Sequence, residues 1–256
     1  FIEARPETVF AILSDPARFS EWLGGEASFE PRPGSPLVVR FPAFGTVIEG
    51  EVLEIRAPEH IAFSWGVSEG EQAAWLPPGS TRVEVRLVAE AGGTRVTLIH
   101  SGLPSDQEVD RLTAGWRFHT SRLALFANRA QLAGTEDRIV GAWLAAWNEV
   151  DAEARARRLA ECCLEDVAFK DEYAALDGRE LLATHIANTR RFMPGLRLEA
   201  DGRVRICRGE MLIPWRAVSA EGEVRLRGVN HAVVTPEGRF RRVTSFWSAH
   251  ERPPGG

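Results

Sequence analysis

The chain has 256 residues, 44% hydrophobic and 26% charged, with a net charge of −5. This is the composition of ordinary globular domains, and the length suits one or two of them, each with its own core. Lys170 is the only lysine, and the arginines are mixed with the acids. No basic run points to nucleic acid, and no stretch of about 20 apolar residues points to a membrane span.

Three cysteines, two of them adjacent (Cys162, Cys163), make no disulfide framework, and no signal-peptide pattern opens the chain. A reduced, cytoplasmic protein is expected. The chain opens on Phe1 and Ile2 in what reads as mid-strand, so a few leading residues are expected before it.

Residues 6–13 read as a short helix, with Pro6 in its first turn and Val9, Ile12 and Leu13 inward. Asp15-Pro16 breaks it, and a second helix at 17–23 ends at Gly24-Gly25. Strands are expected at 37–41, 46–55, 60–65, 81–89 and 94–100. In the second, Val47, Glu49, Glu51 and Glu54 alternate with Ile48, Val52 and Ile55, with an irregularity near Leu53. The third puts Ile61, Phe63 and Trp65 on one face, the fourth Val83, Val85 and Leu87, the fifth Val96, Leu98 and His100. Residues 69–79 form a loop carrying Trp75, and Gly92-Gly93 is a hairpin turn.

Such one-sided alternation needs a cover. Residues 105–133 supply it. Val109, Leu112, Trp116, Leu123, Phe126 and Ala130, with His119, recur at helical steps of three and four. A helix of that length runs about 40 Å. Ser105 is its N-cap, Asp106 and Glu108 sit in the first turn, and Gly134 is its stop.

The strings IEARPETVFAILSDPARFSEWLG, GTVIEGEVLEIRAPEHIAFSW, GGTRVTLIHSGLP and AGW (residues 114–116) carry a resemblance. Over residues 1–133 the chain resembles the START-like (SRPBCC) helix-grip superfamily. More narrowly, it is similar to the bacterial family related to the C-terminal domain of the heat-shock protein 90 ATPase activator. The resemblance implies a curved antiparallel sheet wrapped around the long C-terminal helix, with an apolar cavity between them. PRPGSPL stands where a glycine pair is common. Trp22, Phe63, Trp65, Trp75, Trp116 and His119 are the candidate ligand-binding residues, though the first reading of each is ordinary core.

In the second half, Thr135 is the expected N-cap of a helix at 136–148, with Ile139, Trp143 and Trp147 on one side. A second helix runs from 151 or 152 to 163, with Arg155, Arg157 and Arg158 outside and Leu159 and Cys162 or Cys163 inside. A short strand begins at 167–169 and leads into Lys170, Asp171 and Glu172. Asp177-Gly178 turns the chain into a third helix at 179–192. Strands follow at 197–207, 211–219 and 223–234 and, after the turn Pro236-Glu237-Gly238, at 239–249. Helices first and strands after is an α+β layout, with helices on one face of a curved sheet.

AWLAAWNEVDAEA, DVAFKDEYAALDGRELLATHI, RGVNHAVV and RRVTSFWS carry the second resemblance. Over residues 135–250 the chain resembles the nuclear transport factor 2-like superfamily, of the SnoaL-like polyketide cyclase and ketosteroid isomerase kind. The whole chain is then expected to be α+β in two domains: a helix-grip domain over 1–133 and a cone-shaped, cystatin-like barrel over 135–250.

In the isomerase branch an aspartate after the first strand removes a proton α to a carbonyl. An apolar pocket raises its basicity. The resemblance puts Asp171 in that place. It puts Trp143 and Asn230 where the branch has an oxyanion-binding tyrosine and a protonated aspartic acid. Both are departures, but the indole N–H and the amide still donate.

Gly228 and Ala232 flank Asn230 and leave room for a ligand, while His231 points to the opposite face. His185 faces either the pocket or the sheet. Asp171, His185 and Asn230 lack any recognised metal-ligand spacing, so no metal is expected. No phosphate loop, dinucleotide fingerprint or nucleophile elbow implies a cofactor.

The expected partner is a small apolar molecule, bound in one or both cavities. The C-terminal domain adds a cofactor-independent isomerase, cyclase or dehydratase reaction if Asp171 serves as base. The alternative is a chaperone-linked or other protein-interaction module. The second resemblance also implies a homodimer.

Overall fold

Pro6 and Pro16 each preset the first turn of a helix, giving α1 (Pro6–Ser14) and α2 (Pro16–Leu23). Asp15 caps α2 by accepting the amides of Ala17 and Arg18 at 2.9 and 3.1 Å. In this computed structural model, which describes residues 1–247, the chain divides into two compact units, Phe1–Gln131 and Leu132–Gly256.

The first unit continues through β1 (Glu26–Ser28), β2 (Pro36–Phe41), β3 (Thr46–Arg56), β4 (His60–Trp65), β5 (Val67–Glu69), β6 (Thr81–Glu90) and β7 (Gly93–Ser101). These form one antiparallel sheet in the order β1-β2-β3-β4-β6-β7, with β5 added against β3. The irregularity expected near Leu53 is a register shift between Val52 and Glu54. Val47, read from sequence as an outward residue, is buried beside Ile48, because β5 pairs with this end of β3.

The long helix α3 spans Asp106–Leu132. Leu123 and Ala127 are buried in the first core, with Leu112, Trp116 and Phe126 packed against it. Val109 and Ala130, read as inward, are exposed. In the last turns the buried stripe passes instead through Asn128 and Gln131. Asn128 Nδ2 donates to Glu3 O at 2.9 Å, and Gln131 Oε1 accepts from Arg5 N and Thr8 Oγ1 at 3.0 and 2.6 Å. Polar side chains are buried there because they satisfy the incoming N-terminal segment.

The second unit comprises α4 (Glu136–Asn148), α5 (Ala152–Cys162), β8 (Cys163–Lys170), β9 (Ala175–Asp177) and α6 (Arg179–Phe192). Then come β10 (Arg197–Ala200), β11 (Arg205–Cys207), β12 (Glu210–Val218), β13 (Val224–Val234) and β14 (Phe240–Phe246). The sheet order is β10-β12-β13-β14-β8-β9, with β11 also on β12. The β14–β8 pair is parallel.

Several expectations are corrected here. Thr135 stands at the N-cap position of α4 and its carbonyl accepts from Ile139 N at 3.0 Å, but its hydroxyl donates to Leu132 O at 2.7 Å and caps no amide. Arg155 is buried, not outside, because its Nη1 folds back to Glu149 O at 2.9 Å. Cys163 begins β8 instead of ending α5. The expected strand 197–207 is broken in two. Asp201 N donates to Pro214 O at 3.0 Å, and Gly202 turns at φ +117°. Of the expected strand 239–249, residues 248 and 249 lie outside the described residues.

Ile139, Trp143, Leu159, Phe169, Ile186, Phe240 and Val243 lie in the second core. Each such large side chain contributes about 1.5–3 kcal/mol by leaving water. The fold is α+β, and no described helix is long and apolar enough to cross a membrane.

Candidate functional site

Strand β8 delivers Asp171. Phe169 is buried, Lys170 points outward, and the chain leaves the strand at Asp171. The Asp171 N–H donates to Ala174 O at 2.9 Å. Its Oδ1 closes the same turn, accepting the amides of Tyr173 and Ala174 at 2.9 and 2.7 Å. Its Oδ2 lies 2.8 Å from His185 Nε2.

Helix α6 sets that histidine by burying Leu182 and Ile186 on the same side. The His185 ring stands 6.1 Å from Trp147 at 87° and 5.3 Å from Phe169 at 45°.

The Asp171 side chain is 0% exposed. Burial pushes its carboxyl up. The His185 bond and the two amides outweigh burial and hold it below the ordinary carboxylate range. This corrects the expectation of raised basicity: the surroundings are closed to water but rich in donors.

Asn230 is buried on β13, opposite Ile213 on β12 and Ser245 on β14. Its Oδ1 accepts the indole N–H of Trp215 at 3.2 Å. Trp215 is the residue that sequence reasoning missed. It faces Gly228 across the β12–β13 ladder, and a Cβ at Gly228 would stand 2.4 Å from Trp215 Cζ2. The space foreseen beside Asn230 on the Gly228 side is therefore filled by an indole. A Trp and a Gly on adjacent strands were visible in the sequence, but their register was not.

Trp143 is 1% exposed and packs against Trp147, Phe169 and Phe240, and its indole N–H meets no acceptor. The structure thus brings Asp171 to His185 and Asn230 to Trp215, while Trp143 sits in the core. Among the described residues no group of three His, Cys, Asp or Glu is placed to hold a metal.

Two spaces adjoin these residues. An interior cavity of about 20 Å³ is bounded by Trp147, Met193, Leu198, Trp215, Asn230, Ser245 and Trp247. That is room for about one water molecule. A cleft of about 800 Å³ is walled by Asp171, Glu172, Asp201, Arg227, Val229 and Phe246, among others. That volume is in the range of small-molecule pockets. Ser245 and Trp247 border both spaces. The Trp247 ring lies 5.4 Å from Tyr173 and 6.2 Å from Trp215.

In the first unit Trp22, Phe63 and Trp65 are core residues. Phe63 touches Phe19 and Phe29 at 5.7 Å each, and Trp65 touches Trp116 at 5.5 Å. Trp75 is partly buried, with the Arg111 guanidinium 5.9 Å above its ring. His119 lies 6.4 Å from Trp22 and 6.2 Å from Trp116, with Nδ1 buried and without a partner. Burial, aided by Arg122, pulls its pKa down.

His100 is held at both nitrogens. Thr81 Oγ1 donates to Trp65 O at 2.7 Å, so it accepts from His100 Nε2 at 2.8 Å. Trp116 Nε1 donates to His100 Nδ1 at 3.1 Å. The ring is therefore neutral, with its proton on Nε2, and burial pulls its pKa down to about 4.

Residues 3–127, just under half of the chain, match the family described as Activator of Hsp90 ATPase homolog 1-like protein. Three solved structures are similar to parts of the chain. One, from Agrobacterium tumefaciens, is provisionally described as an isomerase of the SnoaL-like family. It shares 27% identity over 43% of this chain and 95% of its own, with a TM-score of 0.41. A protein of Mesorhizobium loti shares 24% identity over 50% of this chain and 93% of its own, with a TM-score of 0.44. A protein of Jannaschia, provisionally described as a SnoaL-like polyketide cyclase, shares 15% identity over 45% and 93%, with a TM-score of 0.36. No curated protein matches the chain.

Proposed function

We propose that the second unit binds a small, mainly apolar molecule in the cleft beside Trp247. The observation that carries this is the shared wall: Ser245 and Trp247 stand between the cleft of about 800 Å³ and the aromatic interior. Val229, Phe246 and Trp247 supply apolar contact, and the Thr244 hydroxyl, on the same sheet face as Val229 and Phe246, supplies an oriented polar group.

Binding is favoured over proton abstraction by Asp171, because three donors already occupy that carboxylate. Asp171 acts as a positioning residue that fixes His185 and the 171–174 turn. Asn230 braces Trp215 at the cavity wall.

The test is a titration of the chain with neutral one-ring and two-ring aromatic compounds, followed by indole fluorescence. Saturable quenching is expected, weakened about tenfold when Trp247→Ala removes the wall. Quenching that never saturates, or that ignores this substitution, contradicts the proposal. Turnover of an enolisable ketone that Asp171→Asn abolishes would restore the base role.

The match over residues 3–127 supports a second role, interaction of the first unit with a chaperone ATPase. Failure of the chain to bind or stimulate such an ATPase disposes of it. We treat the two units as separate domains, with the boundary in the chain between residues 131 and 135. The free thiols of Cys162, Cys163 and Cys207 support a reducing, cytoplasmic setting.

A further inference from the structure

The charges around the cleft narrow the class of ligand. Asp171, Glu172 and Asp201 border it, against Arg227. Arg227 Nη1 is bound to Asp201 Oδ2 at 2.9 Å, and Arg216 Nη1 lies 3.8 Å from Asp201 Oδ1. Arg216 Nη2 also donates to Glu199 Oε2 at 3.0 Å, so the two arginines are answered by Asp201 and Glu199. The Asp171 carboxylate is buried and bonded to His185 and two amides. Glu172 is exposed in the turn, with no ion pair or hydrogen bond among the described residues.

Aromatic rings line the same cleft as Glu172. One is Trp247, whose ring lies 5.4 Å from Tyr173 and 6.2 Å from Trp215. Phe246, 58% exposed, adds a further ring to the cleft. Aromatic faces carry negative potential and attract ammonium groups placed within about 6 Å of the ring centre. An anionic ligand would enter a cleft with an excess of carboxylates. A neutral hydrocarbon would use the walls and leave Glu172 unanswered.

Resting on the binding role proposed above, we propose that the cleft takes an organic cation: an amine or quaternary ammonium on a small apolar body. Its charge lies between Glu172 and the rings of Phe246 and Trp247, which line the same cleft.

Phenyltrimethylammonium, its neutral isostere tert-butylbenzene and the anionic 4-tert-butylbenzoate separate charge from shape. Each is titrated calorimetrically into the full chain. The cation is expected to bind at least tenfold more tightly than the isostere, and the anion least tightly. Raising the salt from about 0.05 to about 0.5 M shrinks the preference several-fold, as screening requires. Glu172→Gln reduces it about threefold and leaves the isostere's affinity unchanged. Phe246→Leu reduces it without altering any charge.

Equal binding of cation and isostere overturns the cation assignment and leaves the binding role standing. Binding of none of the three compounds overturns both.

Discussion

The two units solve one problem, covering the apolar face of a sheet, with different helices. The first uses one long helix, α3 of 27 residues, together with the short α1 and α2, whose Val9, Ile12, Leu13, Phe19 and Trp22 are buried in the same core. The second uses three, of 13, 11 and 14 residues. Their histidines differ accordingly. His100, on β7, has both ring nitrogens engaged, one by Thr81 of β6 and one by Trp116 of α3, and this ties helix to sheet. His185, on α6, is held by Asp171 at one nitrogen, beside strands that end in an open cleft. The first arrangement locks its interior polar group into the fold. The second leaves aromatic surface and the Glu172 carboxylate at the rim, the features on which the proposed binding role rests.

The comparison breaks most visibly if the second interior is soft. Trp143→Ala is expected to destabilise its unit by about 3–5 kcal/mol, as Phe63→Ala should in the first. Both are read by denaturant titration. A loss below about 1 kcal/mol at Trp143 would mean a loosely filled cone.

Next in size is Gly228→Val, which drives a side chain into Trp215 and should cost about 1–3 kcal/mol. Adding Trp215→Ala should recover part of that loss, since the two sites share one space. Strict additivity of the two losses would contradict the contact.

The histidines sharpen the contrast through pH. His100 takes up a proton near 6.5 when unfolded and near 4 when folded. Between those values the unfolded state binds more protons, so stability falls as pH drops from about 6.5 to about 4, then levels. Partial access of water limits this to roughly 1–2 kcal/mol. Trp116→Phe removes the donor to Nδ1 and should raise the folded pKa, measured by NMR titration of the ring. An unmoved His100 pKa would contradict the clamp.

Asp171 acts in a more acid window. Its folded pKa lies below the ordinary value of 3.8, so its contribution is complete above that value and is lost as pH falls through the folded pKa. In Asp171→Asn an amide oxygen can still serve the Tyr173 and Ala174 amides, but this acid-window dependence should vanish.

The smallest effects are at the caps. Asp151 accepts Ala154 N at 2.8 Å, and Asp151→Ala should cost about 1 kcal/mol. Thr135→Ala should cost less than about 0.5 kcal/mol, because its hydroxyl caps nothing. Melting curves of the two variants separate these cases.

What was legible in the sequence was periodic. Helices α3 and α6 and the alternating faces of β4 and β6 follow from local spacing, which survives any tertiary arrangement. The outward orientation of Val47 and Arg155 was misread because tertiary partners decide it: β5 for one, the carbonyl of Glu149 for the other. Asp171 and His185 could be marked as separate candidates, but their contact crosses from β8 to α6. Trp215 was invisible as a site residue because its importance lies in facing Gly228, and register is not written in a single strand.

The eight tryptophans supply the most direct measurement. Each indole N–H gives its own peak in a nitrogen–proton correlation spectrum, so a ligand can be placed by which peaks move. Titration with phenyltrimethylammonium or tert-butylbenzene is predicted to shift the Trp215 and Trp247 peaks saturably and leave Trp22, Trp65 and Trp116 in place. Shifts confined to Trp65 and Trp116 would move the binding site under α3 of the first unit and contradict the account.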